Sequence, residues 1–374
     1  MRRLAAIVAI FMVIGIACSP SASPSTSSPT ATPTVATSPV RSPTAGATVA
    51  APTATPTAAP RGPQYGIAGV IARNFPNSSQ GDWEALYTSL SATGDLLGVY
   101  TNWSDSDATK GEVPRAVATH FELGKRYNFT PLTGIGAHRD VGAGVEQTVK
   151  WTDPADRAKF QQTLVAIAQQ YKPAYLFVGN EVNRTFDRDP AAFAGYVEAY
   201  LAAYDAIKAV SPNTLVFPVF QYELLLGKAF LMGGSETRKP QWDLLARFGT
   251  KMDAIGLTTY PYLDYGLPAN VPDNYYTQIA THTKVPVIFT EIGWPSAALP
   301  KAPSSEHGGT PQEQEAFVRR FFTLTADVQV KAALWFCPND IVNVFPDFGS
   351  IALRQVDGTP KPALAAWGER AAKR

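Results

Sequence analysis

"VPVIFTEIGWPS", residues 285–296, begins as a segment built for a protein interior and ends as something else. Val285, Val287, Ile288 and Phe289 are β-branched or aromatic, the composition of a strand covered on both faces. Glu291, Gly293, Trp294 and Pro295 follow directly. An acid closing so apolar a run is out of place unless the fold makes use of it.

Seven further runs of the same character lie upstream and downstream. They are "YGIAGVIA" (65–72), "LLGVYTN" (96–102), "TPLTGIGAH" (130–138), "AYLFVGNE" (174–181), "TLVFPVFQ" (214–221), "DAIGLTTY" (253–260) and "KAALWFC" (331–337). Their starts lie roughly 30 to 45 residues apart, the length of one strand plus one helix in a βαβ unit. The intervening segments carry helix-start signals. Asp153 and Asp189 stand as N-caps, each followed by a proline, Pro154 and Pro190, at the first helical position. Thr310, Pro311 and Glu313 spell a capping box with a proline inside it.

Eight such units in about 300 residues predict an α/β fold, a single (β/α)8 TIM barrel. The competing architecture is an open doubly wound sheet, which has fewer strands and commonly a Gly-rich first turn. Here the first strand runs into "RNFPNSSQGDW", which has no G-x-G-x-x-G.

The N-terminal region reads differently. Arg2 and Arg3 precede the apolar run "LAAIVAIFMVIGIA" (4–17), which stops at Cys18 and is too short for an ordinary membrane span. Residues 1–18 are expected to be a signal peptide with a lipobox-like cysteine, lipidation of Cys18 providing the only link to a membrane; a plain secretory signal cleaved nearby is the alternative. Either way the protein is expected to be exported. Residues 19–63 hold no aromatic and no acidic residue and are mostly Pro, Ser, Thr and Ala, so they are expected to form a disordered linker. The globular, catalytic domain is expected over residues 64–374.

Composition narrows the function. With 32 basic against 31 acidic residues and a net charge of +1, no nucleic-acid partner is expected. Cys18 and Cys337 are the only cysteines, too few for a disulfide framework, and Cys337 reads as a buried thiol. The four histidines show no metal-ligand spacing, and no G-x-S-x-G follows a strand, so neither a metal site, a cofactor nor a serine nucleophile is expected.

In a barrel of this kind the active site lies at the C-terminal ends of the strands. Glu291 ends the seventh run, and "YLFVGNEVNR" (175–184) places Glu181, preceded by Asn180, at the end of the fourth. Two carboxylates facing one bond suit glycoside cleavage: one protonates the leaving oxygen while the other meets the positive charge developing at the sugar carbon. The plainer role for Glu181 is an ion pair with Arg184. Trp103, Trp294 and Trp335, near strand ends, could offer flat walls to a sugar or pack at the barrel rim. His138 and Arg139 close the third run and are candidates for sugar contacts, or ordinary surface polar residues.

The motifs "GNEV" (179–182), "YPY" (260–262) and "TEIGWPS" (290–296) resemble those of the retaining (β/α)8 glycoside hydrolases of clan A, in wording closest to the family 17 β-1,3-glucanases. That resemblance implies Glu181 as acid/base, Glu291 as nucleophile, Asn180 as a partner of the sugar 2-hydroxyl and Tyr260 as a donor to the nucleophile. It implies a β-linked polysaccharide or oligosaccharide, β-1,3-glucan among the candidates, as substrate. Ile292 stands where those glucanases usually carry a small hydroxyl residue, and Thr259 where many of the clan carry histidine. A transglycosidase would use the same pair, and a sugar-binding lipoprotein on the same scaffold would use neither.

Overall fold

All eight apolar runs become strands in the computed structural model, which describes residues 62–104, 110–140, 146–228, 239–298, 309–341 and 348–371. The strands are β1 (Gln64–Ala68), β2 (Leu96–Ser104), β3 (Thr130–Asp140), β4 (Glu146–Thr148), β5 (Tyr175–Val178), β6 (Leu215–Phe217), β7 (Val219–Gln221), β8 (Ile255–Thr259), β9 (Val287–Ile292) and β10 (Val330–Phe336). The signal-like segment with Cys18 and the linker up to residue 61 lie outside the described residues.

Hydrogen-bonded neighbours run in the order β6-β5-β3-β2-β1-β10-β9-β8-β7, every pairing parallel. The two ends of that path, β6 and β7, are halves of one run interrupted by Pro218, which has no N–H to give a ladder. β6 pairs with β5 and β7 with β8, so the fifth strand hands the sheet from one neighbour to the other and brings it round into a nearly closed barrel. Val219 N–H to the Gly179 carbonyl (3.3 Å) and Gly256 N–H to the Pro218 carbonyl (3.0 Å) stitch the interruption on both sides. β4 is an addition the sequence reading did not contain: it pairs antiparallel with the far end of β3, beyond the barrel wall.

Helices cover the outside. Asp153 caps Pro154–Tyr171 through the Ala155 N–H, and Asp189 caps Pro190–Val210 through those of Ala191 and Ala192. At Pro311–Leu324 only the Thr310 half of the capping box forms, because the Glu313 carboxylate does not return the bond. Among the described residues the crossovers after β7 and β8 carry only short helical pieces, Tyr222–Leu225 and the 3-10 helix Trp242–Phe248 in the first, Pro261–Leu263, Pro268–Asn270 and Ile279–His282 in the second. Their aromatic side chains do much of the covering instead: Phe248 packs edge-on to Tyr200 and Phe220, with ring centroids 4.9 and 5.7 Å apart.

Candidate active site

The chain leaves β5 through a strained turn. Gly179 has φ +84°, and a Cβ there would come within 2.8 Å of Val182 Cγ1 and 2.9 Å of Tyr196 Cε2, so glycine is required. Two residues on, Glu181 itself adopts φ +47°, a left-handed conformation that costs a side-chain-bearing residue about 1–2 kcal/mol. The bonds from Gly179 N–H to the Ile135 carbonyl (3.1 Å) and from Val182 N–H to the Val219 carbonyl (2.9 Å) hold the turn. Its consequence is that the Glu181 carboxyl meets Thr258 of β8, whose Oγ1 donates to Oε1 at 2.8 Å. Arg184 Nη1 donates to Oε2 at 2.6 Å, so the ion pair anticipated as the plain role is present.

Glu291 arrives by another route. It lies inside β9 and has no solvent exposure. Both neighbouring strands register an irregularity beside it: β8 passes from Leu257↔Phe289 directly to Thr258↔Glu291, and β10 from Ala333↔Phe289 to Trp335↔Ile292. One extra β9 residue is thus accommodated between Phe289 and Ile292, a β-bulge. Phe289 faces the helix layer, 5.1 Å from the rings of both Phe321 and Tyr276. Strict alternation would send Glu291 the same way. The bulge turns it instead toward the barrel mouth, where the Tyr260 hydroxyl donates to its Oε2. Its Oε1 is buried and has no hydrogen-bond partner among the described residues.

Burial, and after it the charge of Glu181, pushes the Glu291 carboxyl from the usual 4.5 up to about 8, opposed by the hydroxyls of Tyr100 and Tyr260 and by Arg184. At neutral pH the Glu291 carboxyl therefore keeps its proton. Burial and the Glu291 charge hold the Tyr100 and Tyr260 phenols well above their ordinary value, so both remain donors. Asn180, half-buried, accepts from the Tyr100 hydroxyl at 3.3 Å. Among the described residues no group of His, Cys, Asp and Glu could hold a metal ion.

The tryptophans correct the sequence reading. Trp103, Trp294 and Trp335 are 1%, 0% and 0% exposed. Trp294 stacks on Phe317 of the helix Pro311–Leu324, centroids 4.6 Å apart. Trp335 points outward, its indole N–H donating to the Ile351 carbonyl at 2.8 Å and its ring 5.8 Å from Trp367. Trp103 lies edge-on to Phe160 at 6.1 Å. Their surfaces belong to the layer between sheet and helices, so the walls expected for a sugar are not theirs. On β10 the alternation that turns Trp335 outward turns Phe336 the other way, against the Gly69 position. His138 is placed on β3, paired with Thr148, but its side chain and that of Arg139 lie outside the described residues.

Thr258, Tyr100 and Glu223 were not singled out from the sequence. The first lies two residues before Tyr260, and the last is an acid inside "VFQYELLL" (219–226), a run otherwise as apolar as the strands. That third misplaced acid was a legible signal.

No protein-family model matches the chain, and no curated protein does. Many solved structures do. The exo-β-1,4-mannosidase Op5Man5 from Opitutaceae bacterium strain TAV5 superposes with a TM-score of 0.59 at 15% identity over 84% of this chain, which spans 60% of the length of that one. A GH5_18 protein from Streptomyces cattleya in complex with GlcNAc gives 0.57 at 16% identity, covering 84% of this chain and 81% of its own. A family 39 glycoside hydrolase from Bacteroides cellulosilyticus WH2 gives 0.55 at 16% identity, covering 82% and 63%. These likenesses establish the (β/α)8 fold. They carry families 5 and 39, not the family 17 of the motif wording, so that narrower assignment is not supported.

Proposed function

We propose that the chain is a retaining glycoside hydrolase acting on a β-linked oligosaccharide or polysaccharide. The observation that carries this reading is the arrangement around Glu291: a buried carboxylate with one oxygen held by Tyr260 and the other unpartnered, close enough to Glu181 for their charges to couple. An unpaired buried oxygen is unfavourable in a resting fold and suited to a nucleophile.

In this reading Glu291 Oε1 attacks the anomeric carbon while the bond to the leaving oxygen breaks and Glu181 delivers a proton to that oxygen. The glycosyl-enzyme forms; Glu181 then takes a proton from water, which attacks the same carbon and restores both carboxyls. Asn180, oriented by Tyr100, is the partner for the sugar 2-hydroxyl. One tension must be resolved by the substrate. Burial favours the protonated form of Glu291, whereas the first step needs Glu291 charged. The positive charge developing at the anomeric carbon stabilises that carboxylate in the transition state, where the stabilisation counts.

The finer specificity is open between the β-1,3-glucan of the motif wording and β-mannosides, which the fold neighbours favour. The neighbour from Opitutaceae is a β-1,4-mannosidase, and a variant of the Streptomyces cattleya protein was solved in complex with Manb1-4GlcNAc. The test is to incubate the protein with β-1,3-glucan, β-mannan, galactan, xylan and aryl β-glycosides, size the products and record the anomer first released by NMR. A β-anomer released from a β-substrate is expected; a first-formed α-anomer rules out retention, and no cleavage anywhere in the panel rules out the hydrolase.

A further inference from the structure

Three consecutive residues at the end of β8 each reach a different carboxylate. The Thr258 hydroxyl donates to Glu181, and the Tyr260 hydroxyl to Glu291. Between them, the Thr259 hydroxyl and the Tyr260 backbone N–H both donate to Oε1 of Glu223, at 2.8 and 3.0 Å. Glu223 lies in the helical turn Tyr222–Leu225 that follows β7 and is fully buried. The Tyr275 hydroxyl adds a third bond to Oε1 at 2.9 Å, and Gln221 Nε2 donates to Oε2 at 2.5 Å. Gln221 cannot turn its amide round without loss, because its own oxygen accepts the Leu224 N–H at 2.6 Å.

Among the described residues no cation is one of its partners. A carboxylate buried on hydrogen bonds alone is expensive to keep, and burial pushes Glu223 from 4.5 up to about 7. A purely structural tie could be made by neutral groups at lower cost. What the position supplies is one oxygen on which three donors converge, two of them from the strand end that touches both members of the acid pair.

We propose that Glu223 is a positioning residue for the pair: by gripping the Thr259 side chain and the Tyr260 backbone it fixes the end of β8, so that Tyr260 stays on Glu291 and Thr258 on Glu181. The assignment rests on reading Glu181 and Glu291 as the reacting groups. It has a consequence that needs no substrate, because Tyr260 is one of the groups holding the Glu291 carboxyl down.

The test uses Glu223→Gln, Glu223→Met, Tyr260→Phe and the double variant Glu223→Met/Tyr260→Phe. Titration of Glu291 is followed by carboxyl difference infrared spectroscopy, with Glu291→Gln as the blank. Tyr260→Phe should move that titration upward, Glu223→Met should move it the same way, and the double variant should move it no further. With a 4-nitrophenyl glycoside that the wild type cleaves, Glu223→Met should lower kcat about 10²-fold while KM changes about twofold or less, the size of loss a small misplacement of reacting groups brings. In the Tyr260→Phe background that loss should largely vanish. Glu223→Gln keeps an oxygen for the three donors and should recover most of the loss.

A folded Glu223→Met in which the Glu291 titration stays put overturns the proposal, whatever the activity; so do kcat losses that multiply in the double variant. Should Glu223→Met fail to fold, Thr259→Val removes one of the links and must shift the Glu291 titration upward by a smaller amount, no shift again counting against the idea. If the titrations move as stated and no glycoside is cleaved, the positioning stands and the hydrolase reading falls.

Discussion

The two acids of the proposed site reach the barrel mouth by unlike means, and the contrast says how each position costs stability. Glu181 sits in a turn just past β5, with its backbone in the left-handed region and its carboxyl on Arg184 and Thr258. Glu291 sits within β9, swung inward by a bulge, sealed from water and with no ion pair among the described residues. At one strand end the strain is conformational; at the other it is electrostatic. Neither acid could exchange environments with the other, and that asymmetry is what the two proposed roles require.

The largest expected effect breaks the pair apart by chemistry. Glu291→Ala should show no measurable turnover on any glycoside, and azide entering from its vacated side should yield the α-glycosyl azide. Glu181→Ala should lose about 10²–10⁴-fold on substrates with poor leaving groups yet still glycosylate on an activated aryl glycoside, azide then restoring turnover and giving the β-azide. Product anomers read by NMR decide it. Opposite anomers would exchange the two roles, and wild-type activity in both variants would move the site elsewhere.

The electrostatic half of the contrast appears in stability. Glu291 is raised from 4.5 to about 8, so between those pH values the folded protein binds more protons than the unfolded chain, and stability falls as pH rises through the window. Glu223, raised to about 7, adds a slope of the same sign over a narrower range. Glu291→Gln removes only the first contribution. Its melting temperature relative to wild type should therefore be higher at pH 8 than at pH 5, measured by calorimetry in matched salt. An offset that is the same at both values would mean that Glu291 is not held protonated by the fold.

The conformational half should be the smallest effect. Glycine tolerates φ +47° at no steric cost, so Glu181→Gly should be more stable than Glu181→Ala by about 1 kcal/mol in denaturant melts. In an ordinary helical or extended position the order would be reversed, and finding it reversed here would remove the strain from the argument.

What could be read from the chain follows from short-range physics. The eight strands, the caps at Asp153 and Asp189 and the barrel itself came from apolar runs at a βα spacing with turn chemistry between them. Glu181 and Glu291 were legible because an acid closing an apolar run is conspicuous. Glu223 carries a similar signal, an acid inside an apolar run, but no motif surrounds it after β7. For the tryptophans the sequence left sugar wall and rim packing open, for a different reason. Nearness to a strand end says nothing about which face of the strand a side chain leaves from, and Trp335 leaves toward Trp367 rather than the cleft.

The sequence by itself therefore determined the architecture, the strands that carry acids and the residue types available to the chemistry, because periodicity and local propensity are properties of neighbours in the chain. The tertiary structure alone decided where those side chains point. By strict alternation Glu291 shares the face of Phe289 and belongs against the helices; the bulge between Phe289 and Ile292, set by pairing with β8 and β10 at once, turns it inward. Register of that kind is fixed by two partners more than twenty residues away in the chain on either side, and no window of sequence contains both.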